Sequence, residues 1–203
     1  MARSRSPSRP GSPGRRGAHL SIVEVQDGED LRQARLLLEE YFASLADYLA
    51  ALGLDLAATR RQEVASLPGE YAPPGGCLLL ARLGGAAAGC VTLRRLSAAP
   101  PGADRGTPSS SEPYVCELRR LYVRPSYRGA GLGRHLTLAA IAAARAMSYH
   151  RVRLNTLPTM TRARALYAAM GFREIPPYRA VLFPGVVYLE LNLAEPPATT
   201  PGA

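Results

Sequence analysis

Apolar and polar residues change period several times along this chain, and each change marks an expected element. Leu20 to Val25 alternates with period two, which predicts a strand. Asp27 to Asp30 supplies helix-start chemistry, and Leu31 to Ala50 carries apolar positions at helical spacing, enough for one or two helices. Leu67 to Gly76 is dense in Pro and Gly and reads as a loop. Cys77 to Leu83 and Ala87 to Leu96, joined at Gly84-Gly85, read as a hairpin. Residues 97 to 113, rich in Ser, Pro and Gly, form a long connection to an apolar strand from Cys116 to Val123. From Leu132 the residues Leu136, Ala139, Ala140, Ala143 and Met147 keep a helical period, so this helix presents one face to a sheet. A short strand follows at Val152 to Asn155, then an amphipathic helix from Thr159 to Met170 ended by Gly171, and strands at Phe172 to Ile175 and Val186 to Leu193. The expected order is β-α-α-β-β-β-α-β-α-β-β, an α/β (α+β) chain.

Composition limits this to one domain. Of 203 residues, the stretches 1–18 and 195–203 lack the apolar residues that would offset the entropy of ordering, so both are expected as disordered tails around a domain at 19–194, with 97–113 a flexible loop inside it. That leaves about 150 to 160 ordered residues, enough for a single core. The net charge is +9, but five arginines and no acid lie in residues 1–18, leaving +4 for the remainder. The Arg-Ser tail is expected to be solvated rather than to bind nucleic acid, and a surplus of +4 is compatible with a phosphate-rich ligand. Cys77, Cys90 and Cys116 show no zinc spacing and sit in apolar strand-like runs, which points to buried, reduced thiols and a cytoplasmic setting. No apolar run reaches the roughly 18 residues of a membrane span, so no membrane is expected. His19, His135 and His150 are scattered, and no metal site is expected.

Candidate chemistry centres on Arg128-Gly129-Ala130-Gly131-Leu132-Gly133, which follows a strand and opens a helix. N–H groups at a helix start have no intrahelical partner and sit at the positive end of the helix dipole, so the turn is suited to an anion. A dinucleotide fingerprint fails, because the third glycine would fall on Arg134 or Leu136. A P-loop fails because the chain contains no lysine. The remaining pattern is R-x-x-G-x-G within Glu117-Leu-Arg-Arg-Leu-Tyr-Val-Arg-Pro-Ser-Tyr-Arg-Gly-Ala-Gly-Leu-Gly-Arg134, and about one βα unit later stands Leu166-Tyr167-Ala168-Ala169-Met170-Gly171-Phe172.

Together these motifs resemble the GNAT superfamily of N-acetyltransferases, over roughly residues 20 to 193. The resemblance implies a mixed, mostly antiparallel central sheet with splayed strands flanked by helices, and acetyl-CoA as acyl donor. It further implies that Arg128, Gly129, Ala130, Gly131, Leu132, Gly133 and Arg134 hold the pyrophosphate. The main chain of Leu121, Tyr122 and Val123 would pair with the pantetheine arm, with the Val123 N–H polarising the thioester carbonyl. Glu117 is expected as general base, on the same face as Val123 unless a bulge intervenes; the plain alternative is that it pairs with Arg94, Arg119 or Arg153. Tyr167 is expected as the acid that protonates the departing thiolate. Many members carry an asparagine where Met160 stands here, so Asn155 is the expected substitute for its contact with the cofactor.

The acceptor is expected to be the primary amine of a small molecule, an amino acid being one case, attacked directly in a ternary complex. Candidates for its pocket are Tyr41, Tyr48, Glu70, Tyr71, Arg94, Arg119, Tyr178 and Arg179, where paired arginines would suit a carboxylate. A catalytically silent acyl-CoA sensor and a protein N-acetyltransferase are the alternative readings. The chain is expected as a monomer or homodimer, with the last strand as the element that would mediate pairing.

Overall fold

A computed structural model of the chain describes residues 19–96, 114–180 and 185–194. The expectations for 1–18, 97–113 and 195–203 lie outside the described residues. A strand β1 (Leu20–Glu24) leads to helices α1 (Gly28–Ala43), α2 (Ala46–Ala51) and α3 (Ala57–Ala65). The hairpin follows as β2 (Cys77–Leu83) and β3 (Ala86–Arg95), then β4 (Val115–Val123), α4 (Leu132–Ala146), β5 (Arg151–Thr156), α5 (Thr161–Ala169), β6 (Arg173–Ile175) and β7 (Val187–Asn192). The helical stretch expected from Leu31 to Ala50 is divided at Ser44, whose hydroxyl donates 2.6 Å to the Tyr41 carbonyl. Helix α3 has no counterpart among the expected elements. None of its apolar side chains is fully buried, so it leaves no apolar period to read.

The seven strands form one sheet in the order β1-β2-β3-β4-β5-β7-β6. All pairings are antiparallel except β4 with β5. Apolar clusters cover both faces. On one face, Val91, Leu93, Cys116, Leu118, Val152 and Leu154 pack with Leu132, Leu136 and Ala140 of α4 and with Tyr167 of α5. On the other, Leu78, Leu80, Cys90 and Tyr122 pack with Ala34, Leu37, Leu38 and Phe42 of α1.

Two irregularities in β4 prepare the site. Its parallel ladder with β5 covers only Val115–Arg151, Cys116–Val152 and Glu117–Arg153. Beyond that, β4 stays with β3 and β5 stays with β7, so a wedge opens between them. The second irregularity is a bulge. Arg119 lies opposite Thr92 and Tyr122 opposite Cys90, so β4 inserts one extra residue, and Arg120 takes a left-handed φ of 55°. Two buried side chains of β3 accept this geometry by bonding the bulge carbonyls: Thr92 Oγ1 donates to Arg119 O at 3.1 Å and Cys90 Sγ to Arg120 O at 3.8 Å. The bulge inverts the alternation, so Glu117 and Val123 lie on opposite faces, not the shared face expected from period two. Val123 packs with the α4 cluster, and Glu117 faces the side of Arg94 and Glu70.

Gly89 lets β3 approach this part of β4. A Cβ there would lie 2.5 Å from the Tyr122 carbonyl oxygen and 3.2 Å from Leu136 Cδ1. Gly89→Ala is therefore expected to lower stability by about 1–3 kcal/mol, read as a lower urea midpoint.

Candidate active site

The chain leaves β4 at Val123 and passes through Arg124 into a short 3₁₀ turn, Pro125–Tyr127, then extended Arg128. Gly129 (φ +84°) and Gly131 (φ +76°) occupy the left-handed region, and Gly131 is the N-cap of α4. No side chain caps this helix, and its first turn carries no acid. Its leading N–H groups thus meet no competing carboxylate, and the helix dipole adds positive potential. A Cβ on Gly129 would meet nothing within 4 Å, so the turn opens to free space. Buried Leu132 anchors the turn, while Arg128, Ala130 and Arg134 are exposed around it. Arg128 Nε donates 3.0 Å to the Val123 carbonyl. Arg124 is committed elsewhere, with both its Nε and terminal nitrogen on Glu40 at 2.8–3.0 Å.

Main-chain directions at the end of β4 follow from its pairing. Arg124 N donates to Ala88 O of β3 at 2.9 Å, and the Tyr122 carbonyl also points at β3. Val123, between them, directs its N–H and C=O to the opposite edge, into the wedge. Tyr122 therefore does not offer its amide to the wedge as expected. Its side chain packs edge-on against Tyr41 with ring centroids 6.1 Å apart.

The second motif meets the first through α5, whose Leu166 lies beside the first turn of α4, 3.6 Å from a Cβ position on Gly133. Tyr167 is 5% exposed and packs on Phe172 at 5.5 Å. Among the described residues its hydroxyl has no hydrogen-bond partner. Burial pushes this phenol well above its ordinary pKa, with a smaller upward push from Tyr41, so it stays protonated at neutral pH. Asn155 is half-buried in the part of β5 that has left β4 and pairs only with β7, one pleat beyond Arg153 on the same face. Met160 is the N-cap of α5, and its sulfur accepts from the Thr156 hydroxyl at 3.6 Å.

At the root of the wedge, on the α1 side, lies a dense cluster of charges. Glu117 is fully buried. Arg94 donates to its Oε2 through Nε at 2.8 Å and lies 2.7 Å away through a terminal nitrogen. Arg119 Nε stands 3.7 Å from the same oxygen. Tyr178 Oη donates to Oε1 at 2.8 Å, and Arg179 approaches Oε1 at 3.1 Å. Burial raises the pKa of Glu117, but the guanidiniums of Arg179, Arg94 and Arg119 and the Tyr178 hydroxyl outweigh it, and the net shift is down. Glu70 bridges Arg94 at 2.6 Å and Arg119 at 3.1 Å, and Tyr71 Oη accepts from Arg119 at 3.3 Å. Six of the expected acceptor-pocket residues thus come together: Glu70, Tyr71, Arg94, Arg119, Tyr178 and Arg179. Tyr41 sits beside Tyr122 instead, and Tyr48 lies on α2. Arg153 pairs with Glu190 at 2.7 Å rather than with Glu117.

Two members of this network were not among the expected residues. Glu63 of α3 receives both Nε and a terminal nitrogen of Arg120, at 2.7 and 2.6 Å, and the Tyr71 hydroxyl at 2.6 Å. Burial raises its pKa too, but Arg120 and Tyr71 bring it below the ordinary carboxylate value. Glu63 and Glu117, both depressed, contribute stability that is complete above about pH 4.5 and is lost as pH falls through their folded values. The urea midpoint is expected to hold above that pH and to decline below it, with a shallower decline in Glu63→Gln.

The three thiols are free and buried, and burial pushes each up to about 12, so none is a nucleophile. Among the described residues no group of His, Cys, Asp or Glu is arranged to hold a metal, and no helix is long and apolar enough to cross a membrane. His150 Nδ1 accepts the Tyr114 N–H at 3.0 Å, which is a structural role. A cavity of about 490 Å³ lies between α1 and α3, lined by Arg35, Glu39, Phe42, Arg60, Arg61 and Val64, and includes none of the wedge residues.

The chain is similar to known proteins in sequence and in fold. The sequence profile of the Acetyltransferase (GNAT) family matches residues 36–172. An uncharacterized N-acetyltransferase of Schizosaccharomyces pombe is 33% identical over 179 residues, covering 88% of this chain and 98% of that protein. The N-acetylaspartate synthetase of Rattus norvegicus is 29% identical over 80% of this chain, which spans 48% of that protein. The crystal structure of the PaiA N-acetyltransferase of Thermoplasma acidophilum, in complex with coenzyme A, shares the fold with a TM-score of 0.60 at 16% identity, covering 86% of this chain and 99% of that one.

Proposed function

The chain belongs to the acetyltransferase (GNAT) family, and from that premise we propose that it transfers an acetyl group from acetyl-CoA to the primary amine of a small molecule, by direct attack in a ternary complex. One observation carries the reading: the β4–β5 wedge runs into an uncapped, acid-free helix start whose glycine turn is open to solvent. The donor supplies an activated acetyl thioester.

The chain supplies the remaining parts. N–H groups of Gly129 to Gly133, with exposed Arg128 and Arg134, suit a pyrophosphate, and no Cβ stands over Gly129. The Val123 N–H faces the wedge, where it can polarise a carbonyl. The protonated hydroxyl of Tyr167 is the candidate donor to a leaving sulfur, held by packing and free of competing partners among the described residues. Glu117 is less suited to the base role first assigned to it. A carboxylate already accepting from Arg94 and Tyr178 and facing two further guanidiniums is stabilised in its charged form, which weakens it as a proton acceptor.

Support for a small-molecule acceptor comes from relatives of that kind. The rat protein is named for N-acetylaspartate, and a structural neighbour is an aminoglycoside N-acetyltransferase. The test is an amine screen with acetyl-CoA that records free thiol and acetylated product together. Equal amounts of both, dependent on one amine class, support the reading. Acetyl-CoA binding without turnover of any amine favours a silent sensor.

A further inference from the structure

The cluster around Glu117 holds more positive charge than it neutralises. Arg94, Arg119 and Arg179 converge on two carboxylates, Glu117 and Glu70, which leaves one guanidinium charge unmatched. The two acids differ in kind. Glu117 is fully buried, whereas the Glu70 side chain is 46% exposed and sits at the rim. The arginines keep some exposure, with side chains 15% exposed at Arg119 and 29% at Arg179. Among the described residues Arg179 has one ion-pair partner, Glu117, 3.1 Å from one terminal nitrogen, and its guanidinium makes no hydrogen bond that meets ordinary geometry. Its guanidinium also lies 5.7 Å from the Tyr178 ring centroid, which restricts its position.

Location gives this surplus a use. Glu117 is the last residue of the β4–β5 ladder, and the open edge of β4 starts directly beyond it. We propose that Arg119 and Arg179, held with Arg94 by the buried carboxylate of Glu117, bind a carboxylate of the acceptor, so that the acceptor is an amino acid or another amine bearing a carboxylate. Glu117 is then a positioning residue that fixes the arginine fork. Polyamines and aminoglycosides, which carry only positive charge, are repelled by the same surplus. This inference rests on the N-acetyltransferase reading above.

The experiment uses the full chain with a panel of L-α-amino acids, each beside its own carboxamide, and spermidine. Two readouts run in parallel: calorimetric binding of the amine in the presence of coenzyme A, and thiol release from acetyl-CoA. Amino acids are expected to be bound and acetylated in preference to their carboxamides. Arg179→Gln is expected to raise the acceptor KM by roughly ten- to a hundredfold, with the change falling on KM more than on kcat. Glu117→Gln is expected to raise KM and to leave the pH dependence of kcat in place, whereas loss of a base would lower kcat and abolish its acid limb. Should Glu117→Gln fail to fold, the partly exposed Arg179 position still decides the matter. Carboxamides or spermidine that match the acids, or an unchanged KM in Arg179→Gln, would overturn the inference and leave the enzyme reading intact. If no amine releases thiol, the enzyme reading falls, while the binding arm still decides whether a carboxylate is preferred.

Discussion

Gly131→Asp is expected to leave the protein folded and to weaken acetyl-CoA binding by at least roughly a hundredfold. The two halves of this result have separate physical origins. Gly131 takes φ +76°, a conformation that aspartate adopts at modest cost, and its Cβ would meet only His135 ring atoms at 3.6 Å, ordinary contact. A carboxylate at the N-cap of α4 would also favour the helix, which now has no side-chain cap and no acid in its first turn. The new charge would satisfy the same N–H groups that a pyrophosphate needs. Like charges about 4 Å apart repel by about 4 kcal/mol in a partly screened site. Titration calorimetry beside a thermal melt separates the outcomes: lost binding with an unchanged or raised Tm supports the glycine turn as the anion site. Unchanged binding moves the cofactor elsewhere on the molecule.

The α4 turn was readable because glycines, a preceding strand and a following amphipathic helix are local features. Most strands and helices were readable for the same reason, with ends within a few residues of those expected. The acceptor side was not readable to the same degree, because three of its determinants are non-local. Helix α3 has no fully buried apolar side chain, so Ala57–Ala65 carries no amphipathic signature, and Glu63 could not be placed beneath Arg120. The bulge at Arg120 has no residue that announces it. Its support comes from Thr92 and Cys90 on the neighbouring strand, and it turns Glu117 away from the face of Val123. The third determinant is the chain after β6, whose Tyr178 and Arg179 return to Glu117 across 61 and 62 positions of sequence. Composition could suggest arginines near a carboxylate; only the fold shows that three of them share one.

Tyr167→Phe is expected to lower kcat by roughly a hundredfold or more while thermal stability holds or rises. The ring is what the core uses. Tyr167 packs on Phe172 and within the cluster of Leu132, Leu136 and Leu154, and phenylalanine fills the same volume. The hydroxyl contributes nothing comparable to the fold, since it has no hydrogen-bond partner among the described residues. Burial also keeps the proton on the oxygen, so the group is a hydrogen donor throughout the working pH range rather than a phenolate. A donor of this kind is effective when charge appears on an atom beside it, and in the proposed reaction the departing sulfur would be that atom. The rate loss should appear in kcat with acetyl-CoA affinity nearly unchanged, since the glycine turn proposed to hold the pyrophosphate opens α4 and Tyr167 lies on α5. A variant that retains kcat would show that the hydroxyl is dispensable for the chemistry. A variant that loses cofactor binding instead would assign Tyr167 to the walls of the wedge.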